Sequence, residues 1–71
     1  MRTIDTRQCD HYSPLIPATM SYCEAASGER VSILMNRTDA FSDFKEFLAD
    51  QNIGFREVYD GDTMIVEFTK K

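Results

Sequence analysis

The sequence predicts an α/β (α+β) two-layer sandwich, in the order strand, helix, strand, helix, strand, strand, with both helices on one face of a four-stranded mixed sheet. Three observations lead there. Apolar residues at helical spacing mark two segments that alternate with period-two strands. An Asp60-Gly61 step between the last two strand segments is a short-hairpin signal. The chain is 71 residues long, enough for one core and no second. Two helices separated by a strand can cover one sheet face, the helix-linked strands are free to run parallel, and the hairpin strands must be antiparallel.

Each element has a local cause. Arg2 to Thr6 reads as a short first strand with Ile4 pointing inward, and Arg7 to Ser13 as a polar loop. Ser13 can accept a hydrogen bond from a free backbone N–H at the start of the first helix, and Pro14 suits the first helical position because no donor is needed there. Leu15, Ala18, Tyr22 and Ala26 then recur as one buried stripe. Pro17 disfavours helical geometry at Ile16, so the regular helix is expected to begin only at Pro17. Gly28 is the expected stop.

Arg30 to Asn36 is the strongest strand, with Val31, Ile33 and Met35 on one face and Leu34 on the other. Thr38 or Asp39 is expected to cap a second helix running from Asp39 to about Gln51. Phe41, Phe44, Phe47 and Leu48 form its core stripe, while Asp43, Glu46 and Asp50 form its solvated face. Asn52 and Gly54 flank its end. Phe55 to Tyr59 and Thr63 to Thr69 make the hairpin, with Met64, Val66 and Phe68 alternating on the last strand.

Composition excludes several functions. With 42% apolar and 28% charged residues the chain is an ordinary globular one rather than a disordered one. The formal net charge is −4, and among the basic residues only Lys70 and Lys71 are adjacent, so no nucleic-acid partner is expected. No apolar run approaches the ~20 residues of a membrane span, and MRTIDTRQ lacks the apolar stretch of a secretory signal; a cytoplasmic location follows as the expectation. Cys9 and Cys23 are expected to be free thiols, with Cys23 packed beside the buried stripe next to Tyr22. Cys9, Asp10 and His11 are metal-ligand types, but three consecutive residues supply no tetrahedral set. No Gly-rich phosphate loop is present, and no cofactor is expected.

The segment Asp5 to Ile16, DTRQCDHYSPLI, holds the one motif. Its Asp-x-Arg spacing, followed by Pro-Leu-Ile entering a helix, resembles the first strand, loop and helix start of the TusA/SirA sulfurtransferase family. The element order also matches that family, whose members resemble the C-terminal domain of translation initiation factor three. The helix closing at Ser27-Gly28-Glu29, the strand Val31 to Leu34 and the acidic cap near Thr38-Asp39 fall where the family has theirs.

The resemblance implies a sulfur relay. In the family a Cys-Pro-x-Pro segment fills the loop, and its cysteine accepts persulfide sulfur from a cysteine desulfurase and passes it on. Laid on this chain without gaps, Pro14 takes the second proline's place, Tyr12 the first's, and His11 falls on the cysteine. An imidazole cannot form a persulfide.

Two readings stay open. In one, Cys9 is a displaced sulfur acceptor and His11 the base that deprotonates it. In the other, Cys9 ends the first strand and His11 is a solvated loop residue, leaving a non-catalytic binding module that keeps the family's docking surface. Asp5, Arg7, Tyr12 and Pro14 are then the binding corner, with Asp5 and Arg7 orienting the loop by charge-assisted hydrogen bonds; as a plain surface pair they would matter little. The partner implied is a cysteine desulfurase or another sulfur-relay protein.

Cys9 lies five residues before Pro14, up to about 16 Å if extended, whereas a helix dipole fades within a turn. Lowering a thiol pKa from about 8.5 to about 6.5 raises its thiolate fraction at pH 7 roughly 25-fold. The accompanying loss of nucleophilicity leaves a net gain of about threefold. Positioning against the partner must dominate.

Overall fold

The structure is a computed structural model that describes residues 2–7 and 13–71. The element order is β1 (Arg2–Asp5), α1 (Leu15–Glu24), β2 (Arg30–Met35), α2 (Thr38–Asp50), β3 (Phe55–Asp60) and β4 (Thr63–Thr69). The sheet runs β1-β2-β4-β3. β1 and β2 are parallel, with Ile4 opposite Ile33; β2 and β4 are antiparallel, with Ile33 opposite Val66, as are β3 and β4, with Glu57 opposite Val66. This is the expected mixed sheet.

The alternating residues Val31, Ile33 and Met35 of β2 and Val66 and Phe68 of β4 share one core with Ala18 of α1 and Ala40, Phe41, Phe44 and Leu48 of α2. Both helices therefore cover the same sheet face. Tyr22 of α1 meets Phe47 of α2 edge-on at 5.1 Å between ring centres and Phe68 of β4 at 5.9 Å. Phe44 stacks on Phe47 at 6.0 Å and stands edge-on to Phe68 at 5.9 Å. This aromatic chain ties both helices to the sheet, each such pair adding about 0.5–1.5 kcal/mol beyond its buried area.

Several element ends differ from expectation. α1 does not wait for Pro17. Leu15 N–H donates to Ser13 Oγ at 3.2 Å, as the capping role predicts, and Ile16 N–H donates to the Ser13 carbonyl at 3.0 Å. Pro17 has no N–H for that carbonyl, and Ile16 takes the place of the missing donor. Ala18 N–H then reaches the Pro14 carbonyl at 3.2 Å, so the proline falls within the first turn without interrupting the ladder.

The other end of α1 comes early. The helix stops at Glu24 and Ala25 turns extended, so Ala26 is exposed and Ala25 is buried in its place. Gly28, at φ +86°, is not the helix stop. It sits in the turn closed by Glu29 N–H on the Ala26 carbonyl (2.9 Å), where its own N–H bonds the Lys70 carbonyl.

α2 starts one residue earlier than expected, and neither Thr38 nor Asp39 is its cap; the cap position is Arg37, with no side-chain capping bond. Its end is better built. Asn52, at φ 59°, sends its N–H to the Ala49 carbonyl (3.0 Å), and Ile53 N–H reaches the Leu48 carbonyl (2.9 Å), with Leu48 and Ile53 both buried. That pair of bonds around a left-handed residue is a Schellman motif, with Asn52 in the place more often given to glycine.

The hairpin is shifted by one residue. Asp60 pairs with Thr63 as the last residue of β3, which leaves Gly61-Asp62 as the two-residue loop. Gly61 has φ +60°, which suits a glycine at the first loop position.

Candidate functional site

The C-terminal ends of β1 and β2, the N-termini of both helices and the β3–β4 turn meet at one end of the sheet, as the pairing register requires. The Asp-x-Arg motif lies there. Asp5 Oδ1 accepts the Arg7 backbone N–H at 3.0 Å and its Nε–H at 2.9 Å, and Oδ2 accepts Nη2–H at 2.8 Å. An aspartate that bonds the N–H two residues on makes a tight chain reversal, and the guanidinium fork closes over the same carboxylate.

The reversal is fastened on two sides. Thr6 is buried between Asp5 and Arg7, and both its N–H (2.9 Å) and its hydroxyl (2.6 Å) donate to the Leu34 carbonyl of β2. Arg7 Nη1–H donates to Thr63 Oγ1 at 3.2 Å, and Asn36 Nδ2–H donates to the Arg7 carbonyl at 3.3 Å. Thr6 and Arg7 are thus held by contacts with β2, with the residue after it and with the hairpin.

The same contacts explain the charge states. Hydrogen bonds from the Arg7 side chain, then from its backbone N–H, hold the Asp5 carboxyl at about 2, below its ordinary 3.8. The Asp5 carboxylate raises the Arg7 guanidinium in turn. A second Asp/Arg pair, Arg37 Nη2 to Asp39 Oδ2 at 2.8 Å, stands at the start of α2 and lowers the Asp39 carboxyl.

Pro14 is fully buried, so it anchors the helix start and offers a partner no surface. Cys9, His11 and Tyr12, the remaining expected site residues, lie outside the described residues. Cys23, expected to pack beside Tyr22, is instead an exposed free thiol, because α1 turns it away from the core.

The exposed side of α1 was missed in the sequence. Ile16 and Met20 are 52% and 55% exposed, and Cys23 follows on the same face at the spacing i, i+4, i+7. The buried Ala18, Ser21 and Ala25 lie opposite. The signal was present as a second apolar stripe, offset from Leu15, Ala18 and Tyr22. This stripe starts at the helix end that faces the same end of the sheet as the Asp5–Arg7 turn. Among the described residues, no group of three or more His, Cys, Asp or Glu side chains is arranged to hold a metal ion, and no helix is long and apolar enough to cross a membrane.

No family model matches the chain, and no curated protein does. Among solved structures, a SirA-like protein from Desulfitobacterium hafniense is similar, with a TM-score of 0.79 over 97% of this chain and 96% of that one, at 18% sequence identity. At that identity the likeness speaks for architecture alone. Two helices on one face of a four-stranded mixed sheet, matched end to end, give this chain a SirA-like fold.

Proposed function

We propose that this chain is a small sulfur-relay protein of the TusA/SirA type, which docks on a cysteine desulfurase or a related sulfur protein through the start of α1. The observation that carries this reading is the SirA-like fold matched over 97% of this chain, beside which stands the hydrogen-bonded Asp5–Arg7 turn at the end of β1. The apolar face of Ile16 and Met20, next to that corner, supplies docking surface of the kind a protein partner covers.

In the carrier form of the reading, the Cys9 thiolate attacks the terminal sulfur of the donor's persulfide. The new S–S bond forms at Cys9, the donor's S–S bond breaks, and the donor leaves as a thiolate; no net oxidation occurs. His11 accepts the Cys9 proton beforehand. His11 at the family cysteine's place favours the second form, a binding module that keeps the docking surface without loading sulfur.

One experiment separates them. The protein is incubated with a cysteine desulfurase and free cysteine, then weighed intact and as peptides. Gain of one sulfur on Cys9, lost in Cys9→Ser, supports the carrier. Unloaded protein that still binds the desulfurase, with or without Cys9, supports the module. Neither loading nor binding would overturn the relay reading.

A further inference from the structure

The basic residues, scattered in the sequence, are sorted by the fold. Arg2, Arg7, Arg37 and Lys45 are each in an ion pair. Lys70 donates to the Tyr22 carbonyl and lies 4.0 Å over its ring. Arg30, Arg56 and Lys71 have no ion-pair or side-chain hydrogen-bond partner among the described residues. All three belong to one end of the sheet, the end away from the Asp5–Arg7 corner: Arg30 opens β2, Arg56 is the second residue of β3, and Lys71 follows the end of β4.

A groove of about 400 Å³, open along one side, lies there, lined by Arg30, Gly54, Phe55, Arg56, Glu67 and Thr69 among others. Arg30 registers with Thr69 and Arg56 with Glu67, so the two arginines flank β4. Both point to the sheet face opposite the one bearing Val31, Val66 and Phe68, which the helices cover. Their strands lie roughly 10 Å apart, a span two arginine side chains can close on one ligand. Glu67 stands between them, half-buried, and is in ion-pair contact with neither arginine.

We propose that this groove binds a carboxylate presented by an acidic peptide segment of a protein partner, gripped between Arg30 and Arg56. Two exposed guanidinium forks without partners, on a chain of net charge −4, make a local positive site on an otherwise acidic surface. Planar forks suit carboxylates, which they bind through two parallel hydrogen bonds. Glu67, between the two arginines, repels a phosphate dianion more than it repels a single carboxylate, which carries half the charge. The groove is at the other end of the sheet from the proposed sulfur-relay corner and does not rest on that reading.

The test is a titration of the ¹⁵N-labelled full chain, at low salt, with a short capped oligoglutamate peptide, and in separate arms with inorganic phosphate and a single-stranded oligonucleotide. The peptide is expected to shift the amides of Gly54, Phe55 and Thr69 saturably. The affinity should fall by about tenfold or more in the Arg30→Gln/Arg56→Gln double variant, whose exposed substitutions leave the spectrum's dispersion intact. Lys45→Gln, a change elsewhere on the surface, should leave it unchanged. The inference is overturned if the peptide leaves these amides unmoved or binds the double variant as tightly. It is equally overturned if phosphate or the oligonucleotide moves the amides at lower concentration than the peptide does.

Discussion

The two helices cover the same sheet face and use their outer sides differently. α2 segregates its residues: Ala40, Phe41, Phe44 and Leu48 are buried, while Asp43, Glu46 and Asp50 are exposed. α1 buries only Ala18 and Ser21 fully within its span, yet leaves Ile16 and Met20 in solvent. The fold gains nothing from apolar side chains in water. An outward stripe on one helix and its absence from the other separates what the chain needs in order to fold from the apolar surface it leaves in solvent.

The largest expected effect breaks the molecule on the α2 side. Phe44 is fully buried against Phe47 and Phe68, and Phe44→Ala should cost about 3–5 kcal/mol. A domain this small has a net stability of about 5 kcal/mol or little more, so the variant should keep only about 2 kcal/mol or less and its far-UV circular dichroism transition should fall well below that of the wild type. A cooperative transition close to that of the wild type would mean that the aromatic chain does not hold the layers together.

The matching change on α1 should do the reverse. Ile16→Ser with Met20→Ser removes exposed apolar surface, so the unfolding free energy should move by less than about 1 kcal/mol. Binding to the proposed partner, a cysteine desulfurase, followed by calorimetry, should weaken by about tenfold or more. Equal losses of stability and binding would place these residues in the fold rather than in an interface.

A smaller effect lies on the inner side of α1. Ser21 is buried and its Oγ has no hydrogen-bond partner among the described residues, an uncompensated polar group in the layer between helix and sheet. Ser21→Ala should stabilise the protein by about 1 kcal/mol, read as a raised denaturant midpoint with an unchanged slope. A lower midpoint would show that the hydroxyl has a partner after all.

The contrast between the helices also explains what could be read in advance. The α2 stripe and the Val31, Ile33 and Met35 alternation were legible because each turns its large apolar residues to the one shared core, which leaves a clean period. α1 was legible as a helix but not in its faces, since two apolar stripes share it and Cys23 was assigned to the wrong one. The ends were least legible. Gly28 reads as a helix stop by type alone, and only the distant Lys70 partner shows that it serves the entry to β2.

The same limit applied to both candidate sites. The Asp5–Arg7 bonds are local in sequence and could be inferred from spacing, whereas Thr6, Asn36 and Thr63 join them through contacts set by the sheet. Arg30 and Arg56 are far apart in the chain and line one groove only because β4 pairs with both of their strands.

The smallest expected effect concerns how each helix is approached. An Asp and an Arg two residues apart lie ahead of α1 and at the start of α2, but Asp5 accepts three bonds from Arg7 while Asp39 accepts one from the Arg37 side chain. The Asp5 carboxyl should therefore titrate at about 2 by carbon-detected NMR, and Arg7→Ala should return it towards 3.8. Because the folded value is the depressed one, the stabilisation is present above about pH 4 and is lost as the pH falls towards 2. Solvent screening at this exposed pair keeps its size small, and added salt should shrink it further. The turn's geometry should respond more than its stability: in Arg7→Ala, the amides of Thr6 and Thr63 should shift while those of α2 stay in place. If Asp5 titrates near 3.8 in the wild type, the guanidinium is not closed on it, and the chain leaving β1 is aimed by Thr6 and Asn36 without help from the motif's charges.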